Sequence, residues 1–112
     1  TKLEIVTKSV IGDRNNMDKI EKLLTDEMDP ERIGQRLKLL REAHGLSPSE
    51  MSDKLGIERT YWTRCEKGKR ALTNALAVKI MSHFNVTLDF LILGRWDKLP
   101  LDMADFLRRN SE

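Results

Sequence analysis

Residues 46–67 read Leu46-Ser-Pro-Ser-Glu-Met-Ser-Asp-Lys-Leu-Gly-Ile-Glu-Arg-Thr-Tyr-Trp-Thr-Arg-Cys-Glu-Lys67, and this stretch decides the fold. Ser47 and Glu50 have the S-x-x-E spacing of a capping box, in which each side chain accepts from the other residue's backbone N–H. Pro48 then sits at the first helical position, where its missing donor costs nothing, and Leu46 can staple onto Met51 across the cap. The helix is short, because Gly56 follows Leu55 and suits the left-handed position that ends a helix. Ile57 and Glu58 lead into a second helix, Arg59 to Lys67, closed by Gly68. Trp62 and Cys65, three residues apart, form its inward face.

The outward face is then Arg59, Thr60, Thr63, Arg64 and Lys67. Ser52 is small where the two helices cross, and Gly56 has no Cβ to oppose a positive φ. Two helices joined by a tight glycine-containing turn form a helix-turn-helix unit, whose second helix fits the DNA major groove. Charge supports that reading. Residues 1–31 carry 5 basic and 8 acidic side chains, a net −3; residues 32–70 carry 10 and 5, a net +5; residues 71–112 carry 5 of each. Arg59, Arg64, Lys67, Lys69 and Arg70 face the lone Glu66 between Arg59 and Arg70, a patch suited to a polyanion. The alternative is an ordinary solvated helix face.

Outward from this core, the chain reads as helix after helix. Residues 1–15 suggest a short arm. Met17, Ile20, Leu24 and Met28 then mark one stripe of an acidic amphipathic helix with Asn16 as its cap, free to pack on the domain or on a second subunit. Asp29-Pro30 starts the next helix through Ile33, Leu37 and Leu40, with Gly45 placed to end it. Downstream, Leu72 to Phe84 repeats apolar residues at Leu76, Ile80 and Phe84, with Thr73 as cap. Thr87 caps Leu88 to Leu93, which Gly94 stops. Leu99-Pro100 opens a last amphipathic segment with Met103, Phe106 and Leu107.

The text I-G-Q-R-L-K-L-L-R-E-A-H-G-L-S from Ile33, L-G-I from Leu55, W-T-R-C-E-K-G from Trp62 and N-V-T-L-D-F-L-I-L-G from Asn85 resembles the Cro/repressor-type, or XRE-type, helix-turn-helix DNA-binding family. The resemblance runs from Ile33 through Gly94, 62 of the 112 residues. It implies an all-α, five-helix lambda-repressor-like domain over residues 29–94, with an N-terminal arm and amphipathic helix over 1–28 and a C-terminal helical extension over 95–112. It also implies that Arg59, Thr60, Thr63 and Arg64 face base edges while Lys67, Lys69 and Arg70 approach phosphates, with Arg36 as a further basic position of the first helix. Arg41 and Glu66 stand where the family keeps an ion pair between that helix and the end of the recognition helix.

Two positions depart from the pattern. Family members often carry a phosphate-binding glutamine where Pro48 stands, so the amides of Ser49 and Glu50, with the Ser49 hydroxyl, would substitute at that positive helix end. Glu58 replaces the usual Ser/Thr cap of the recognition helix. It either accepts from a cytosine N4 amine, as a base contact, or is a poor cap turned away from DNA.

Composition excludes other classes. With 34% charged residues, 5% aromatics, 6 Gly and 3 Pro among 112 residues, the chain suits a helical protein with one modest core. No apolar run is long enough for a membrane span and no signal-peptide pattern opens the sequence, so a cytoplasmic location is expected. Cys65 is the single cysteine and reads as a buried small hydrophobe; His44 and His83 lack ligand spacing with any acid or thiol. No catalytic residue, metal or cofactor is expected.

The function expected is a sequence-specific transcriptional regulator, a repressor, binding double-stranded DNA at a pseudo-palindromic operator as a homodimer of bacterial or phage origin. With 18 residues after Gly94, no separate sensor domain is expected. The dimer surface is expected on the fifth domain helix and the Leu99 to Leu107 stripe, with Trp96 joining, unless that segment packs on its own core. The alternative function is an antitoxin or partner-binding module, whose acidic N-terminal helix or C-terminal helix grips a basic toxin protein.

Overall fold

A computed structural model of the protein describes residues 14–111, with side chains from Met17 onward. Among the described residues seven helices follow one another: α1 (Arg14–Glu27), α2 (Pro30–Ala43), α3 (Pro48–Leu55), α4 (Arg59–Glu66), α5 (Asn74–His83), α6 (Leu88–Leu93) and α7 (Leu101–Ser111). No strand occurs among the described residues, and none of their helices is long and apolar enough to cross a membrane. The fold is all-α, with a helix-turn-helix unit at α3 and α4.

The helix starts obey their caps. The Asp29 carboxylate accepts from the Glu31 amide, Thr73 from Leu76 and Thr87 from Phe90. At α3 the capping box is complete, with the Glu50 amide donating to Ser47 Oγ at 3.1 Å and the Ser47 amide to Glu50 Oε1 at 2.9 Å. That bond to the charged form holds the exposed Glu50 carboxyl below its ordinary range. Gly56, at φ +68°, ends α3 in the left-handed conformation its missing Cβ permits. Several boundaries differ from the sequence reading, among them the end of α5, where Phe84 is the C-cap and not a helical residue. Arg14 is already helical, so Asn16 lies within α1 and is not its cap. Leu72 precedes the Thr73 cap and lies outside α5. The arm expected over residues 1–15 falls almost wholly outside the described residues.

Leu37, Leu40, Met51, Trp62, Ile80, Phe90, Leu91 and Leu107 are fully buried and form one core with their neighbours. The approach of α2 to α4 is set by Gly34, where a Cβ would come within 2.3 Å of the Glu66 carbonyl oxygen and 2.8 Å of that of Cys65. Only glycine permits the two backbones to lie so close.

The expected dimer surface is corrected here. The stripe after Pro100 is covered by the same chain: Leu99, Ala104 and Leu107 are buried, and Met103 and Phe106 pack against the core. The α7 helix lies on α2. His44 is enclosed between the rings of Phe84 and Phe106, at 4.7 and 5.1 Å. Trp96 meets Phe90 edge-on at 5.2 Å. In α6, Phe90 and Leu91 are likewise internal. The amphipathic pattern was right about a covered face, but its cover is intramolecular.

Candidate nucleic-acid interface

Helix α4 is held from behind and open in front. Trp62 and Cys65 are buried, and burial pushes the Cys65 thiol pKa up, away from thiolate chemistry. A base-stacking role for Trp62 is thereby closed. Its indole Nε1 donates to Glu66 Oε2 at 2.7 Å. The same Glu66 carboxylate accepts from Arg41 Nη2 at 2.7 Å and from Arg41 Nε at 3.1 and 3.2 Å. Arg41 also donates to the Leu46 carbonyl at 2.9 Å, so one guanidinium joins α2, the α3 approach and the last turn of α4. Hydrogen bonding to Glu66 raises the Arg41 pKa further. The ion pair inferred from family resemblance is therefore present in this chain.

In front, Arg59, Thr60 and Arg64 are exposed and Thr63 is half-buried. At 100° per residue these positions, with Lys67, fall within one broad face of the helix. The Thr63 hydroxyl donates to the Arg59 carbonyl at 2.8 Å, which leaves its oxygen able to accept. Lys67 stands at the helix end as its C-cap rather than within α4, and Lys69 and Arg70 are exposed beyond it. Arg70 stacks over the Tyr61 ring at 4.0 Å, and the Tyr61 hydroxyl is 2.8 Å from Thr73 Oγ1. Glu58 occupies the N-cap position of α4 with no capping hydrogen bond, and it is exposed.

At the start of α3, the amide of Glu50 is committed to Ser47 Oγ and that of Met51 to the Ser47 carbonyl. Pro48 has no N–H. The expected pair of free amides is thus reduced to Ser49, whose exposed hydroxyl lies beside it. A groove between α2, α3 and α4 is lined by Gln35, Lys38, Arg41, Pro48, Thr63, Glu66 and Lys67. Lys38 is exposed there and was missed in the sequence. The available signal was its position one turn before Arg41 on the same helix face.

Arg36 is the clear correction. It is buried, and its Nε donates to the Leu91 carbonyl at 3.0 Å while Nη2 reaches the carbonyls of Ile92, at 3.1 Å, and Glu27. Its Nη1 pairs with Glu27 Oε2 at 2.9 Å. With four of its five N–H donors so consumed, this buried guanidinium is committed to the fold rather than held out to a phosphate. Instead it satisfies the open carbonyls at the ends of α1 and α6, the negative ends of both helices. Burial lowers its pKa against the opposing pull of Glu27. Gly94 leaves room for this pair, since a Cβ there would lie 2.8 Å from both Arg36 Nη1 and Glu27 Oε2.

A family model described as a helix-turn-helix domain matches residues 32–89. The chain belongs to this helix-turn-helix family. It is 35% identical over 70 residues to an uncharacterized HTH-type transcriptional regulator derived from the SPbeta prophage of Bacillus subtilis, covering 62% of this chain and 65% of that one. It is 42% identical over 55 residues to a protein of Pyrococcus abyssi named as an HTH-type transcriptional regulatory protein, covering 49% of this chain and 17% of that one. This helix-turn-helix chain thus spans less than two thirds of either relative's length. No solved structure matches it.

Proposed function

We propose that this protein is a sequence-specific DNA-binding transcription regulator, a repressor that reads a pseudo-palindromic operator as a homodimer. The observation that carries the reading is the exposed face of α4. Arg59, Thr60 and Arg64 project from a helix whose opposite side is locked by Trp62, Cys65 and the Arg41–Glu66 pair. In this reading residues 29–94 are the DNA-binding domain. Arg59, Thr60, Thr63 and Arg64 address base edges, and exposed Glu58 accepts from a cytosine amine. Ser49, Lys67, Lys69 and Arg70 meet phosphates, joined by Lys38 in place of Arg36.

Two copies related by a dyad double the bases read, and the half-sites then lie one helical turn apart or a multiple of it. The names of the two relatives support the same reading. Selecting bound duplexes from a random pool tests it: a recovered palindrome agrees with activity and symmetry together. Recovery of no sequence above background would move the partner-binding reading ahead, with a toxin protein as its occupant.

A further inference from the structure

Three arginines of the domain are held in two different ways. Arg36 and Arg41 spend their N–H groups on backbone carbonyls and a carboxylate each. Among the described residues no carboxylate pairs with Arg70. Its guanidinium lies instead over the Tyr61 ring, 4.0 Å from the centroid, and the residue is exposed. A guanidinium paired with a carboxylate has its charge answered and its N–H fork occupied, as at Arg41. One held by a ring face keeps its charge and its N–H donors for a further acceptor.

Both sides of this contact are fixed. The chain beyond α4 is wound back on the helix, with the amides of Lys69 and Arg70 donating to the Arg64 carbonyl at 2.8 and 3.3 Å. Gly68 permits that turn at φ +73°, and a Cβ there would lie 2.9 Å from the Cα of Glu31. Tyr61, for its part, is half-buried and packs against the core. Its hydroxyl oxygen is 2.8 Å from Thr73 Oγ1, which also accepts the Leu76 amide as the cap of α5. The ring is therefore held by the core along its body and by the start of α5 at its tip. Around α4, Tyr61 falls between buried Cys65 and exposed Arg64. It stands where the inward face of the helix gives way to the outward one.

We infer that Tyr61 is a positioning residue, whose ring holds the Arg70 guanidinium ready for a DNA phosphate beside the recognition helix. The inference deepens the DNA-binding reading above and rests on it for the acceptor. The advantage is entropic. An exposed arginine has many rotamers, and ordering one such side chain at an interface costs roughly three- to tenfold in affinity. Stacked on Tyr61, Arg70 is ordered before DNA arrives, and most of that cost is removed from the binding step. Tyr61 touches no base in this role, so its contribution is the same on any sequence.

A double-mutant cycle on DNA binding tests the inference. Tyr61→Leu, Arg70→Ala and the double variant are titrated against the selected duplex and a scrambled one at several salt concentrations. Tyr61→Leu should weaken binding roughly three- to tenfold per chain on both duplexes and keep the salt slope, because the guanidinium is still present. Arg70→Ala should lower the slope by about 1 per chain. In the Arg70→Ala background, Tyr61→Leu should cost no more than about twofold. Tyr61→Phe keeps the ring and should bind within about twofold of the parent. Circular dichroism before each titration confirms the fold, with Tyr61→Met in place of Tyr61→Leu if leucine is not tolerated. Equal losses from Tyr61→Leu with and without Arg70 overturn the inference, as does a Tyr61→Phe variant as weak as Tyr61→Leu. A folded Tyr61→Leu variant that binds like the parent overturns it too. A parent that binds neither duplex removes the DNA reading and this inference together, whereas a parent that binds both with an additive cycle removes the inference alone.

Discussion

Arg41 and Glu66, 25 residues apart in sequence, meet through Arg41 Nη2 and Nε at 2.7 to 3.2 Å, and the second oxygen of the same carboxylate accepts the Trp62 indole N–H. One carboxylate therefore anchors the recognition helix to α2 and fixes the largest side chain beneath it. Removing it strands a guanidinium and an indole donor, both little exposed. Glu66→Ala should cost about 3 kcal/mol of stability, near the lower end for breaking a buried pair. Chemical denaturation of parent and variant measures it. A loss below about 1 kcal/mol would make the pair an ordinary surface contact.

Gly34 makes a sharper prediction, because a single methyl is involved. Its Cβ would fall within 3 Å of backbone atoms of Cys65 and Glu66, which cannot swing aside as a side chain can. Gly34→Ala should lose about 3 kcal/mol or more despite alanine's better helix propensity. A neutral or stabilising result in a thermal melt would mean that α2 and α4 are further apart than described.

The Arg36 correction is open to a direct check. Its donors end on Leu91, Ile92 and Glu27, so Arg36→Met should destabilise the fold by about 2 to 4 kcal/mol and loosen α1 from the domain, visible as faster amide exchange in α1. The salt dependence of DNA binding should keep its slope. A slope reduced by about 1 per subunit would restore Arg36 to the phosphate contacts.

How much of this was legible beforehand follows from the range of each signal. Ser47, Glu50, Gly56, Thr73, Thr87 and Gly94 act on neighbours a few residues away, so their letters alone located three helices of the fold, α3, α5 and α6. The buried side of α4 was equally readable from the spacing of Trp62 and Cys65. Arg36 was misread because its acceptors are backbone carbonyls 55 and 56 residues downstream, which leave no side-chain mark in the sequence. Its own position did carry a warning, three residues after Ile33 and four before Leu40, on the apolar stripe itself. The stripes of α1 and α7 look alike as text, yet that of α7 is covered by its own chain while that of α1 is exposed among the described residues. Periodicity identifies a face to be buried without identifying what buries it.

The central claim is that α4 reads bases, and Arg64 and Lys69 separate that claim from mere affinity for a polyanion. Arg64 is exposed within the helix, one residue after Thr63, whereas Lys69 follows Gly68, where the chain has turned away from α4. The most direct measurement titrates Arg64→Ala and Lys69→Ala against the selected operator and a scrambled duplex at several salt concentrations. Arg64→Ala should cost about 1 to 3 kcal/mol per half-site on the operator, with little change on scrambled DNA. Lys69→Ala should weaken both duplexes alike and reduce the salt slope by about 1 per subunit. Equal losses on operator and scrambled DNA for Arg64→Ala would contradict base reading by this helix.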